Sequence, residues 1–327
     1  MTAKSYPCSL QERSAGRLGR GDVADLDTGM TVRSRLSLAA YRLTVPMAGA
    51  VPPRLAYPLL DRLADLVRLR APDARQAVEA NLAQVLGHRG RRHAWAVRGA
   101  FRHALRNYYD TFRMPTQSGG EIRDRVVISG LEHLRQALAR GHGAILFTAH
   151  VSSVALAAQA LALAERGGTV VVEPIEPPEM LDLMLQVRSS HGLTYRVLGP
   201  SLFGELTATL RQNDLVFLVV DRDLGGTGVP VPFFGRTTRL PAGPGLLHLR
   251  TGAPVLPTFV SRRADGRLDG AIGPPLAFHR TGDRRADLTG ITRTIAARLE
   301  YHIGRHPEQW TVLQRIWPEP MDPRRTR

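Results

Sequence analysis

Residues 143–150 read GAILFTAH, an apolar run that stops on a histidine. Seven residues with almost no polar alternation fit a strand buried on both faces, as in parallel sheets. Two later runs have the same form. Residues 169–173, TVVVE, stop on Glu173, and residues 215–221, LVFLVVD, stop on Asp221. Helix-length segments separate them at 154–165, 178–191 and 202–212, with a short strand at 194–198. Upstream, 122–129 reads as a strand and 131–140 as a helix. Downstream come strands at 255–260 and 269–272 and a long final helix at 287–305. This alternation predicts the α/β class: a central, mostly parallel or mixed sheet flanked by helices.

In open α/β sheets, reactive groups gather where strands end and loops begin. Parallel neighbours would bring His150, Glu173 and Asp221 to one edge, with Arg188 late in the intervening helix. The set holds a base, two carboxylates and a cation. Each member also has an ordinary reading. His150 alone is a loop histidine, Glu173 before Pro174 a solvated carboxylate, and Asp221 a turn residue. Their joint placement is what marks a site. The segment 221–254 is Gly- and Pro-rich yet carries Phe233-Phe234, and reads as a long ordered loop. Pro241-Ala242-Gly243-Pro244 then opens a helix at 245–251, whose N-terminus favours anionic groups. The alternative is a rigid crossover between strands.

The N-terminal third is different. Residues 1–34 read as a flexible basic arm, without an apolar run of signal-peptide type. Residues 36–69 are apolar, but Arg42, Arg54, Asp61 and Arg62 interrupt them and Pro46, Pro52 and Pro53 break them. They fit two short amphipathic helices split near Pro52-Pro53, not a membrane span. Tyr57, Leu59, Leu60, Leu63 and Leu66 share near-helical spacing, either as a core-packing face or as a membrane-surface face. Two further helices follow, one ended by Gly87 and one over 94–112. The organisation expected is an N-terminal helical, membrane-associating region at 35–115, an α/β domain at 116–317, and a loose tail at 318–327.

The chain of 327 residues carries a net charge of +15, almost all of it arginine, with Lys4 the one lysine. Such charge needs an anionic partner: nucleic acid, acidic phospholipid or a phosphorylated co-substrate. No nucleic-acid recognition signature is present, so no nucleic-acid partner is expected. Cys8 is the single cysteine, which rules out an internal disulfide framework or thiolate metal site. No histidine spacing fits a metal, and no metal or cofactor is expected. A Gly-x-Ser-x-Gly nucleophile is absent.

Three segments carry a resemblance: GAILFTAH at 143–150, DRDLGGTGVPVPFFG at 221–235, and LPAGPGLLHLRTGAPVLPTF at 240–259. With Pro307-Glu308-Gln309-Trp310, they resemble the bacterial lipid A biosynthesis lauroyl/myristoyl acyltransferases and their actinobacterial relatives, the phosphatidylinositol mannoside acyltransferases. The resemblance runs from about residue 36 to 317. It implies a glycerolipid acyltransferase-like fold and a peripheral protein on the cytoplasmic face of the bacterial plasma membrane, with an anionic membrane surface as partner. It also implies transfer of a fatty acyl chain from acyl-CoA or acyl carrier protein to a hydroxyl of a glycolipid or phospholipid-linked acceptor.

His150 matches the histidine of the family's His-x4-Asp/Glu motif and would be the general base. Glu173 and Asp221 would complete the catalytic set. Arg188, Arg222, Asp223, Phe233, Phe234 and Arg250 would bind substrate. At one position the chain departs: the motif acid is Ala155. Either Glu173 or Asp221 orients His150 from another strand, or Ser152 or Ser153 does so weakly, or the protein binds lipid without transferring acyl groups.

Overall fold

The computed structural model describes residues 43–317, apart from Glu176 and Leu224. The arm expected at 1–34 and the tail at 318–327 lie outside these residues. Helices come first: α1, described over residues 43–50, then α2 (Pro53–Arg70), α3 (Pro72–Leu86) and α4 (Arg91–Arg113). Pro52 and Pro53 occupy the N-cap and first position of α2, where a missing N–H costs nothing. Gly87 ends α3 in the left-handed region, φ 72°, which a residue without Cβ adopts freely.

One side of α2 packs on α4. Ala56, Tyr57 and Ala64 are buried. Asp61 accepts two bonds from Arg106 at 2.8 and 2.6 Å, and Asp65 pairs with Arg98 and Arg102. The other side is a row of exposed leucines, Leu55, Leu59, Leu63, Leu66 and Leu69. The apolar spacing read in the sequence therefore splits between an inward tyrosine and an outward leucine row. Among the described residues no helix is long and apolar enough to cross a membrane.

The chain then alternates: α5 (Gly119–Arg125), β1 (Val126–Ser129), α6 (Leu131–Leu138), β2 (Ala144–Thr148), α7 (Val154–Ala164), β3 (Thr169–Val172), α8 (Pro178–Arg188), β4 (Thr194–Val197), α9 (Leu202–Arg211) and β5 (Leu215–Val219). A hairpin of β6 (Val229–Phe233) and β7 (Arg236–Leu240) precedes α10 (Gly243–Thr251), β8 (Val255–Arg262), β9 (Leu268–Ile272) and α11 (Arg284–Arg305). The main sheet has the order β1-β9-β8-β2-β5-β3-β4. Strands β8, β2, β5, β3 and β4 run parallel. Only the β8–β9 contact is antiparallel, with β1 parallel to β9. The expected mostly parallel sheet with helices on its faces is what forms. The described residues from 43 onward belong to one compact unit, so α2–α4 pack with the sheet rather than forming a separate body.

Two segments differ from the sequence reading. The strand expected from Ile122 begins only at Val126, because Ser118 and Glu121 form a reciprocal capping box that starts α5. Such a box satisfies two orphan donors at once and nucleates the helix. The long loop at 221–254 contains the β6–β7 hairpin. Its two turn residues, Phe234 and Gly235, both have positive φ, as two-residue hairpin turns require. Pro230 and Pro232 sit on its exposed face.

The sheet's two faces bury separate clusters. Ile145, Phe147, Val216 and Leu218 pack with Leu206, Leu247 and Leu299 on one face. Leu146, Leu215 and Phe217 pack with Leu134 and Leu161, from α6 and α7, on the other. Alternate residues of β2 and β5 thus point to opposite layers, as strand geometry dictates.

Candidate active site

Adjacent parallel strands β2 and β5 end together, Thr148 opposite Val219. Two residues beyond that pair on each strand, His150 and Asp221 therefore meet. Asp221 Oδ1 lies 2.7 Å from His150 Nδ1. Its Oδ2 accepts from the His150 backbone N–H at 2.9 Å and from Trp310 Nε1 at 2.7 Å. The carboxylate is 0% exposed, while the imidazole is 32% exposed. Burial pushes the Asp221 carboxyl up, but the His150 charge and the bonds from His150 and Trp310 outweigh it and hold it below its ordinary value. Asp221 thus stays ionised in a dry setting.

The backbone around His150 is clamped as well. Thr311 donates to the His150 carbonyl through both N (2.8 Å) and Oγ1 (3.0 Å). Val151 bridges Trp310, and Ser152 N–H donates to the Gln309 carbonyl at 3.0 Å. Ser152 takes φ 55°, a conformation that costs a non-glycine residue energy and needs surrounding bonds to persist. With Nδ1 occupied, Nε2 is the ring nitrogen left for a substrate. This is the geometry of a base held in one tautomer by a carboxylate.

His150 lines a cavity of about 570 Å³. Its walls are mostly apolar, and Glu173, Arg188, Arg222 and Asp223 supply most of its charge. The dyad, an apolar cavity of this size and a few convergent polar groups are the features of a small-molecule or lipid site.

A profile of the family described as bacterial lipid A biosynthesis acyltransferase matches residues 34–319. The chain belongs to this acyltransferase family. It is 35% identical over 217 residues to a phosphatidylinositol mannoside acyltransferase of Mycobacterium tuberculosis, covering 65% of this chain and 67% of that one. It is 30% identical over 234 residues to the like-named protein of Mycolicibacterium smegmatis, covering 68% of this chain and 72% of that one.

In this acyltransferase the residues read from sequence divide into two groups. His150, Glu173, Arg188, Arg222 and Asp223 all line the cavity. Glu173 is ion-paired with Arg222, which also donates to Gln314. Glu173 is therefore a partner of the arginine, and Asp221 is the carboxylate on the imidazole. Asp223 uses its carboxylate to hold the N–H groups of Gly225 and Gly228, at 3.2 and 2.7 Å, so it shapes the loop. Arg188 Nε has no hydrogen-bond partner, and burial pushes its guanidinium below its ordinary value.

Phe233, Phe234 and Arg250 do not line the cavity. Phe233 is fully buried and stacks on Trp317 at 5.6 Å, and Phe234 packs edge-on against the same ring. Arg250 is exposed in the last turn of α10. Ala155, at the motif acid's position, lines the apolar wall. Ser152 and Ser153 have buried hydroxyls without hydrogen-bond partners, so neither orients the imidazole.

Sequence reasoning missed Trp310 and Thr311. Both lie some 160 residues from His150, and no local pattern joins them. The one signal was the Pro307-Glu308-Gln309-Trp310 run, which supported the resemblance without showing a role.

Proposed function

We propose that this acyltransferase moves a fatty acyl chain from a thioester donor, acyl-CoA or acyl carrier protein, to a hydroxyl of a glycolipid or phospholipid-linked acceptor. The observation that carries this is the Asp221–His150 pair opening onto an apolar cavity. His150 Nε2 takes the proton of the acceptor hydroxyl as the oxygen attacks the thioester carbonyl. The imidazolium is stabilised by Asp221. The C–S bond then breaks, and the thiolate recovers the proton from Nε2. Arg188, uncompensated at the cavity wall, suits an anionic part of donor or acceptor. The names of the mycobacterial relatives favour a phosphatidylinositol mannoside-like acceptor.

The outward leucines of α2, with exposed Arg54, Arg62 and Arg70 among them, fit a helix lying in an anionic bilayer surface. Each buried leucine would contribute about 1.5–3 kcal/mol and each arginine about 1 kcal/mol. This supports peripheral attachment to an anionic membrane surface, which we take to be the cytoplasmic face of the plasma membrane.

Ala155 alone favours the other reading, a lipid-binding protein that no longer transfers acyl groups. Asp221 removes its main ground, because the imidazole already has a buried carboxylate. The test is turnover by the purified full chain with long-chain acyl-CoA or acyl carrier protein and a panel of glycolipid acceptors. The expected result is transfer that falls about 10²–10⁴-fold in His150→Ala with unchanged thermal stability. Wild-type inactivity across the panel sinks the enzyme reading.

A further inference from the structure

The cavity beside His150 has walls on both faces of the sheet. It is lined by consecutive residues, not alternate ones, on five strands: 146–148 of β2, 217–219 of β5, 170–172 of β3, 258–260 of β8 and 270–272 of β9. Successive side chains of a strand point to opposite faces. A single void over one face would touch every second residue. Leu146 and Phe217 belong to the layer under α6 and α7, and Phe147 and Leu218 to the layer under α9–α11. The helices agree. Ala155, Ala157, Ala158 and Leu161 of α7 line one side, and Leu202, Leu206 and Leu247 of α9 and α10 line the other.

The sheet opens where these halves meet. Strands β2 and β5 pair along five residues, but β3 and β5 pair only at Thr169–Val216 and Val170–Phe217. Beyond that point Val171 and Val172 have no paired partner on β5, and both line the cavity. The split lies on the side of β5 away from β2, beside the dyad.

We propose that these are two alkyl-chain subsites, one on each face, meeting at His150. The transferred acyl chain occupies the α7 side and an alkyl chain of the lipid acceptor occupies the α9–α10 side. This rests on the acyl-transfer reading and extends it to a second lipid chain held inside the protein. The α7 half reaches from β2 across β8 and β9 to Ile128 of β1, about 14 Å at the usual strand spacing. That depth suits a long chain.

Gly270 of β9 lines this end. A Cβ there would meet nothing nearer than 3.6 Å, so packing does not demand a glycine. Glycine inside a strand weakens it and often marks the close approach of a ligand. The α9–α10 half is walled by Leu202, Phe203, Leu206 and the 241–244 turn, and Phe203 and nearby Leu198 are exposed large apolar side chains at its rim. Apolar walls of this kind gain packing contacts from an alkyl chain laid against them.

Photolabelling of the purified full chain tests this without requiring turnover. The probe is palmitic acid with a terminal diazirine, and adducts are mapped by tandem mass spectrometry. Wild type is expected to label on both faces, in peptides of α7 or β9 and in peptides of α9 or α10. Palmitoyl-CoA should clear the first set and a diacyl glycolipid the second. Gly270→Val, which raises strand propensity, should lower α7-face labelling at least tenfold and spare the other. Ala242→Leu should do the reverse. Labelling confined to one face, or both sets cleared together by palmitoyl-CoA or by either substitution, overturns the proposal. Acyl transfer by the same wild-type preparation is measured alongside. Two-face labelling without transfer would contradict the function proposed above while leaving the two subsites standing.

Discussion

Among the described residues two carboxylates are completely buried, Asp221 and Asp110, and they are used in opposite ways. Asp110 of α4 is closed in by Arg262 of β8 at 2.6 Å, Arg125 of α5 at 2.9 Å and the Tyr57 hydroxyl of α2 at 2.8 Å. The Arg262 side chain is itself 0% exposed. Burial pushes the Asp110 carboxyl up, and the two guanidinium charges outweigh it to hold it below its ordinary value. Burial and Asp110 together push the Tyr57 hydroxyl well up, so it stays protonated and donates. None of these residues lines the cavity beside His150. Asp221 is as deeply buried, but one of its three donors belongs to an imidazole that reaches the cavity. Burial of a charge therefore does not mark the site. What marks it is a partner with one ring nitrogen still to offer.

The clusters are joined. Gln309 bonds both backbone groups of Arg262, at 2.7 and 3.0 Å, and its neighbour Trp310 bonds Asp221. The closed cluster thus anchors the segment that supports the open one.

The contrast can be broken at several points. Asp110→Asn leaves Arg262 and Arg125 without their counter-charge and should cost about 3–5 kcal/mol of stability, read by chemical denaturation. The protein that remains folded should keep its kcat. A stable Asp110→Asn with depressed kcat would reverse the roles given to the two clusters.

Trp310→Phe removes one donor from Asp221 while keeping an aromatic ring. A buried acceptor losing a bond should cost about 1–3 kcal/mol, and kcat should fall about tenfold as the carboxylate loosens. Unchanged kcat would show that the indole only packs.

A smaller effect sharpens the picture near the closed cluster. Burial lowers His103 to about 3 and His302 to about 4. Both are neutral when folded but protonate near pH 6.5 when unfolded, so their stabilising contribution is full above 6.5 and fades as pH falls toward those values. The slope is about 1.4 kcal/mol per pH unit per group. In His302→Phe the loss of stability between pH 6 and 4 should be shallower than in wild type. An identical pH profile would show that His302 protonation does not contribute to the loss of stability.

The fold was legible because its strands announce themselves. GAILFTA, TVVV and LVFLVV are too apolar for any place but a sheet buried on both sides, and their terminal residues gave the sheet edge. The hairpin was hidden because its turn is Phe234-Gly235 and its strands carry Pro230 and Pro232, which read as loop. The site was half legible. Parallel order put His150 and Asp221 at one edge, but the sequence left Glu173, Asp221 and two serines as rival orienters. Only the neighbouring register of β2 and β5 separates them, and strand order is not written in local pattern. Phe233-Phe234 read as substrate-facing because a loop setting was assumed. In a hairpin, alternation turns Phe233 into the core against Trp317.

The role proposed for Asp221 is to do for His150 what the residue at position 155 would do in the motif. The direct measurement is kcat for acyl transfer by Asp221→Asn, a near-isosteric change, compared with wild type at matched folded fraction. The expected result is a fall of about 10⁴-fold, the loss seen when an orienting carboxylate becomes an amide. A variant that retains wild-type kcat would contradict it.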